Sequence, residues 1–206
     1  MVSRRQLLRA SAGFAAVGLT GLSGCSSPSP NYYRLGIVPG TVHTGGPGRI
    51  VVRSISIPGY LDRDGIVKGG GNYQIDIHDN DLWAEDFAGM LQDSMVQDLA
   101  QRLPNTTVTG PGSSITGTPD ALVEINLQRF DTDASGMMIF IAQLAIKSGA
   151  SLTTWATRTL NLSAPANGPR VAAVVAVMSH LWGEAADNAA SLLVQSWAHH
   201  PHSSAD

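Results

Sequence analysis

Cys25 is the one residue whose type and neighbours together specify a reaction. It is the only cysteine of the 206-residue chain, and it ends the string Leu22-Ser23-Gly24-Cys25. A leucine and two small residues before a thiol form the pattern that a bacterial lipoprotein signal peptidase cuts once the thiol carries a diacylglycerol. A lone cysteine otherwise behaves as a small buried hydrophobe, so its flanks decide between the two readings. Upstream stand Arg4, Arg5 and Arg9, then an apolar stretch from Ala10 to Leu19 too short to span a bilayer, then small residues. These are the three regions of a secretory signal peptide, in order. Residues 1–24 are therefore expected to be removed, leaving Cys25 as an acylated N-terminus.

Two neighbours refine this expectation. Ser3-Arg4-Arg5-Gln6-Leu7-Leu8-Arg9 fits a twin-arginine export signal and equally an ordinary Sec signal with paired arginines. An Asp directly after a lipidated Cys usually retains a lipoprotein at the inner membrane of a diderm bacterium, and here that position is Ser26. The expected location is the periplasmic face of the outer membrane, where each buried acyl methylene contributes about 0.8 kcal/mol of anchoring.

Other reactive constellations are weaker. Nucleophilic catalysis needs a Ser or Cys within reach of a base, but Cys25 is committed to lipid and no Gly-x-Ser-x-Gly elbow occurs. Ser113 and Ser114 lie in a Gly/Pro loop. His78, Asp79 and Asp81 look like a helix cap rather than metal ligands, and His199, His200 and His202 look like a solvated tail. Glu124 is the only acid in the middle strands, whereas a glycosidase-like pair needs two acids across a cleft. Gly69-Gly70-Gly71 is expected as a turn, because no Lys-Ser/Thr helix start follows to cradle phosphate. Tyr60 and Trp83 are either core residues or the lining of an apolar groove. The sequence thus predicts no catalytic residues, no metal and no cofactor.

Composition narrows the class further. Cutting before Cys25 removes 24 residues and leaves 182, about one domain in length. Loss of three arginines takes the formal charge from -3 to -6, since no acid precedes Asp62. An acidic domain without a basic stripe is a poor match for nucleic acid. An apolar share of 43% supports an ordinary core.

The elements that must carry these residues follow from periodicity. Residues 25–48, rich in Pro, Ser and Gly, are expected to be a lipidated, flexible tether, with a first structured piece at Asn31 to Leu35. Ile50, Val51, Val52, Ile55 and Ile57 predict a strand stopped by Pro58-Gly59, and Tyr73 to Ile77 a second. A helix is expected to begin at Asp79-Asn80-Asp81, with Trp83, Phe87, Leu91, Met95 and Leu99 as its buried stripe and Pro104 after its end. Three antiparallel strands should follow: one around Val123, Ile125 and Leu127, a central one from Met137 to Lys147, and one from Ser151 to Leu162. The last helix, from about Arg170 to Trp197, is too briefly apolar to span a membrane and is expected to be buried on two sides, with one face available to another subunit. The expected fold is a single α/β domain over residues 49–198, with a mainly antiparallel, mixed sheet packed by two long helices. Residues 199–206 are expected to form a disordered tail.

Assembled, these residues resemble the PqiC-type ABC-transport auxiliary lipoproteins. The resemblance runs through the lipidation motif, Tyr32-Tyr33-Arg34-Leu35, Ile57-Pro58-Gly59-Tyr60-Leu61-Asp62-Arg63 with Ile66-Val67 after it, Trp83-Ala84-Glu85, Arg129-Phe130-Asp131 and an Ala-rich final helix. It covers nearly all of the mature chain, and the Pro-x-Tyr-Leu-Asp-Arg string followed by Trp-Ala-Glu is its specific part. The family usually has Arg before that Trp and Pro or a similar residue after the Glu. Here Leu82 and Asp86 stand there, so no role of that Arg carries over.

The resemblance implies a non-catalytic subunit of a lipid-trafficking machine that supports membrane integrity. It would dock an MCE-domain transporter subunit and its ABC permease from the outer membrane. Pro58, Tyr60, Leu61, Asp62, Trp83 and Glu85 would hold the fold or touch that partner. The competing expectations are a stand-alone periplasmic lipoprotein that binds a lipid or other small apolar ligand and, behind it, an enzyme.

Overall fold

The computed structural model describes residues 29–200 except 72, 116, 167 and 169. The signal peptide, Cys25 and the end of the expected tail from residue 201 lie outside the described residues. Eight strands and two helices alternate along the rest: β1 (Asn31–Tyr33), β2 (Arg49–Val52), β3 (Gly65–Gly71), β4 (Gln74–Trp83), α1 (Phe87–Arg102), β5 (Thr107–Thr109), β6 (Ala121–Thr132), β7 (Met137–Ser148), β8 (Thr154–Pro165) and α2 (Val171–His199). The result is a single α/β domain with mixed sheets and two long helices.

The main sheet has five strands in the order β5-β2-β6-β7-β8. Strands β6, β7 and β8 form the two expected antiparallel hairpins, whereas β2 pairs in parallel with both β5 and β6. β7 lies inside the sheet, as its apolar run requires. In β6 the buried residues are Ala121, Leu122, Val123, Ile125 and Leu127, then Phe130 and Thr132; from Val123 on they alternate. A register shift between Leu127 and Arg129 explains the change from odd to even positions. One extra residue on a strand turns every following side chain to the other face. The inward face packs on the helices through pairs such as Phe130 and Phe140, whose rings meet edge to face at 5.0 Å.

Strands β1, β4 and β3 form a second, three-stranded sheet. Here the structure corrects three expectations. Asp79-Asn80-Asp81 lie in β4 and cap nothing; α1 begins eight residues beyond Asp79, with Asp86 accepting a hydrogen bond from the Gly89 N–H at 2.7 Å. Trp83 closes β4, and its backbone N–H donates to Asp64 O at 2.8 Å. It continues the buried stripe because its ring stacks on Phe87 at 4.8 Å, across the turn rather than along a helix. Gly69-Gly70-Gly71 belong to β3 and not to a turn. A Cβ at Gly69 would overlap the carbonyl of Thr132 in β6, so glycine is what lets the hairpin lie against the main sheet.

α1 and α2 pack on each other and on the main sheet. Trp182 of α2 is wholly buried, and its indole N–H donates to Leu91 O of α1 at 3.2 Å. In its second half Ala185, Ala186, Ala189 and Ala190 are all buried. Its length exceeds the expected span: His199 is its last residue, and His200 stacks on Trp155 at 4.9 Å instead of joining a free tail. No helix among the described residues is long and apolar enough to cross a membrane.

The segment assigned to a flexible tether also carries more structure than its composition suggests. Beyond β1, residues 34–48 form a strap along the seam between the helices. Its backbone N–H groups donate alternately to α1 and α2: Leu35 to Met90 Sδ, Gly36 to Ser179 Oγ, Val38 to Asp98 Oδ1, Thr41 to Asp187 Oδ1 and His43 to Arg102 O. Long-range partners supply the hydrogen bonds that Pro- and Gly-rich backbone cannot find locally.

Candidate functional site

The residues singled out by sequence converge on one corner, where the loop after β2 meets the end of β6. Pro58 O accepts from the Leu61 N–H at 2.9 Å, closing a turn that buries Leu61 and leaves Asp62 exposed. The same turn presents Tyr60 to β6. Its hydroxyl donates to Asp131 Oδ2 at 2.7 Å and accepts from the Phe130 N–H at 3.2 Å. Arg129 holds the other oxygen of Asp131 at 2.9 Å, and Arg63 Nε returns to Tyr60 O at 2.6 Å. Burial, together with the carboxylate it faces, pushes the Tyr60 hydroxyl far above its ordinary value, partly offset by the Phe130 amide and the Arg129 charge. Tyr60 is thus a fixed neutral donor rather than a base. The two separated strings of the sequence, around Tyr60 and around Phe130, are therefore physical partners.

Trp83 sits elsewhere, at the end of β4 in the three-stranded sheet, buried against Phe87, and Glu85 is exposed beyond it. Of the two readings open for Trp83, the structure gives the core one. Tyr60 is half-buried and borders a groove of about 470 Å³ between the β3–β4 hairpin and the end of β6. His78 Nδ1 lies 3.7 Å from Asp81 Oδ2. Asp81 Oδ1 in turn accepts from Asn31 Nδ2 and the Tyr33 hydroxyl, both at 3.0 Å, so this acid ties β1 to β4. No group of three His, Cys, Asp or Glu suited to a metal occurs among the described residues. Glu124 on the outer sheet face is ion-paired with Lys147 at 2.7 Å and with Arg53 at 3.6 Å.

A second constellation escaped the sequence reading. Arg102, at the end of α1, is 0% exposed and makes hydrogen bonds in three directions. Its Nε donates to Asp187 Oδ1 of α2 at 2.8 Å, its Nη1 to Val38 O and Asp98 O at 3.0 Å and to Asp98 Oδ1 at 3.3 Å, and its Nη2 to Gly183 O at 2.9 Å. One guanidinium thus joins α1, α2 and the strap. Gly40 lies directly on it, and a Cβ there would overlap the guanidinium. Burial raises the Asp98 carboxyl above 3.8, against the pull of the Val38 amide and Arg102, and its Oδ2 is buried without a hydrogen-bond partner. Asp187 goes the other way: burial would raise it, but Arg102, the Thr41 amide and His43 together lower it. The signal was present in the spacing, since Asp98 and Arg102 fall beside Met95 and Leu99 on the core-facing side of α1.

The Tyr60 corner fixes a loop and the Arg102 lock fixes a strap. A groove of about 500 Å³ on the outer sheet face is open, bordered by Arg53, Glu124, Asn126, Gln143 and Thr157 together with Ile125, Leu144 and Ala145.

Comparison with known proteins agrees with this picture. A family model described as ABC-type transport auxiliary lipoprotein component matches residues 33–190, which take in the Tyr60 corner and the Arg102 lock. The intermembrane transport lipoprotein PqiC of Escherichia coli (strain K12) is 29% identical over 123 residues, 57% of this chain and 64% of the relative, and PqiC of Shigella flexneri matches to the same extent. The chain thus spans 64% of the length of these curated relatives. The crystal structure of an uncharacterized protein is similar with a TM-score of 0.66 and 19% identity, covering 80% of this chain and 99% of that one. A Xanthomonas campestris protein is similar with a TM-score of 0.66 and 17% identity, covering 81% and 96%. At these identities the structural likeness shows the fold.

Proposed function

The chain belongs to the ABC-type transport auxiliary lipoprotein family, as a PqiC-type member, and on that premise we propose that it is a non-catalytic docking subunit of an intermembrane lipid-transport system. Residues 1–24 direct export, Cys25 carries the acyl chains, and the α/β domain stands on the periplasmic face of the outer membrane. There it receives an MCE-domain transporter subunit together with its ABC permease and so supports membrane integrity.

The observation that favours an adaptor over a lipid carrier is the packing of Trp83. A carrier needs a concave, largely apolar pocket, and the aromatic best placed to line one is stacked on Phe87 inside a filled core. The larger grooves are open rather than enclosed, and charged side chains stand in their walls, Arg53 and Glu124 in one and Arg129 and Asp131 in the other. The Tyr60 corner supports the same reading, because it sets a rigid loop at the surface with Asp62 and Arg63 exposed on it.

The test is co-purification from detergent-solubilised membranes of the native host, using the wild-type chain and the unlipidated Cys25→Ala variant, each folded by circular dichroism. The expected result is recovery of MCE-domain and permease components with the wild type. Their absence from both preparations, with the domain intact, removes the adaptor reading.

A further inference from the structure

The β3–β4 hairpin carries apolar side chains that the fold covers only in part. Ile75 and Ile77 alternate with Gln74, Asp76 and His78, so they share one face of the arm, and Tyr73 precedes them in the turn. Tyr73 is fully exposed, Ile75 47% exposed and Ile77 37% exposed. Tyr73 also has φ +66°, a backbone region that a bulky residue enters only at a cost. Glycine would fit that turn with less strain, so the aromatic ring is not there for the turn.

The direction of the arm follows from β1. β1 runs parallel to β4 with Asn31 opposite Asp81, and the side-chain bonds from Asn31 and Tyr33 to Asp81 hold it in place. Chain that precedes Asn31 therefore leaves β1 toward the hairpin tip. Cys25 is six residues before Asn31, a reach of about 21 Å at full extension. From Asp81 back to Gln74 the hairpin extends seven residues, about 23 Å of strand. Gly69 O accepts from Thr132 Oγ1 at 3.0 Å, so the hairpin rests on the end of β6 and only its tip lies beyond that contact, at a distance the tether can span.

From this we infer that the β3–β4 hairpin tip is a second membrane contact, entering the interfacial layer of the bilayer that holds the Cys25 acyl chains. The inference rests on the lipidation of Cys25. Tyr73, at the tip, reaches deepest into the interfacial layer, where an amphipathic ring is favoured, and Ile75 and Ile77 follow behind it toward the headgroups. Lys68 stands opposite Asp76 in the hairpin register and the mature chain is acidic, so the contact is apolar and nearly independent of salt. Two attachment points, one covalent and one apolar, would fix the tilt of the domain and so the face that it shows to the periplasm.

The experiment uses the full lipidated chain, purified from membranes and reconstituted into phosphatidylethanolamine–phosphatidylglycerol vesicles. Acylation consumes the Cys25 thiol, so Gln74→Cys supplies a single thiol for an environment-sensitive nitrobenzoxadiazole label at the tip. Thr159→Cys on the outer face of the main sheet supplies a control. The expected result is blue-shifted emission and quenching by nitroxide lipids at position 74 alone, unchanged in high salt and lost when Ile75→Asn and Ile77→Asn are added. An anchored chain whose label at 74 meets only aqueous quencher overturns the hairpin contact. Concentration-dependent energy transfer between labels at 74 without lipid quenching also overturns it, in favour of a second copy of the chain. Uptake of label at Cys25, with the protein left behind when vesicles float, overturns the anchor and with it this inference.

Discussion

The helix pair hides an arginine whose chemistry belongs in water, while the β3–β4 hairpin shows water two isoleucines and a tyrosine whose chemistry belongs inside. Both regions invert the usual partition of side chains, but they do so with different support. Every direction of the Arg102 guanidinium ends on an acceptor contributed by α1, α2 or the strap. A buried charge is tolerated only when satisfied in this way. The hairpin residues are covered only in part, Ile77 by the backbone at Gly65 and Tyr73 and Ile75 along one wall of the groove that faces the end of β6. Inversion with full internal compensation marks a device for holding the molecule together, and inversion without it marks a surface meant for something else.

The contrast is broken most directly at Arg102. Arg102→Ala leaves Asp98 buried without a counter-charge and removes the guanidinium that joins the strap to both helices, so a loss of about 3–5 kcal/mol is expected in urea unfolding. Arg102→Met with Asp98→Leu should recover much of that loss, because apolar side chains of similar volume remove the desolvation of both charges. A single variant as stable as wild type would mean that the strap is held by its backbone bonds alone.

Tyr60→Phe tests the other polar corner and should have a smaller effect. It removes one donor from Asp131, which keeps Arg129, and one acceptor from the Phe130 amide. The loss expected from a chemical denaturation midpoint is about 1–2 kcal/mol. A near-zero change would assign the Tyr60 corner to partner contact rather than to the fold.

Acid titration separates the two carboxylates of the lock. Asp187 has its folded value below 3.8, so its contribution is present at neutral pH and is lost as pH falls through that lowered value. Asp98 has its folded value above 3.8, so it favours the native state while protonated, and that contribution falls as pH rises from about 3.8 through the raised value. In thermal melts from neutral to acid pH, Asp187→Asn should flatten the lowest part of the profile and Asp98→Asn the part above it. Identical profiles for the two variants would contradict the opposed shifts.

The same contrast explains what was legible in the sequence. The three hairpin strands and α2 announce themselves because their apolar periodicity is local and long. The start of α1 does not, since Asp79, Asn80, Asp81 and Asp86 are all competent caps. The choice is made by pairing of β4 with β1 and β3, across up to fifty residues of chain. β5 is three residues long, too short to show a period. Asp98 and Arg102, four apart, would serve equally well as an exposed helix pair. Only Val38, Gly183 and Asp187, brought from distant segments, make them a buried lock. The Tyr60 corner was legible as a motif and not as a contact, for the same reason.

The smallest expected effect is the most discriminating. Ile75→Thr and Ile77→Thr replace β-branched residues by a β-branched residue of similar shape, so strand propensity is kept while the apolar surface is reduced. Because these side chains are exposed, the paired substitution should change unfolding stability by no more than about 0.5 kcal/mol in detergent-free solution or in vesicles without the acyl anchor. Burial in the core would predict several times that loss for two isoleucines. A large destabilisation would therefore return the hairpin to the same class as the helix pair, a region compensated from within. No destabilisation leaves Ile75 and Ile77 as residues that contribute nothing to the isolated fold, and their apolar character then has its explanation outside the chain.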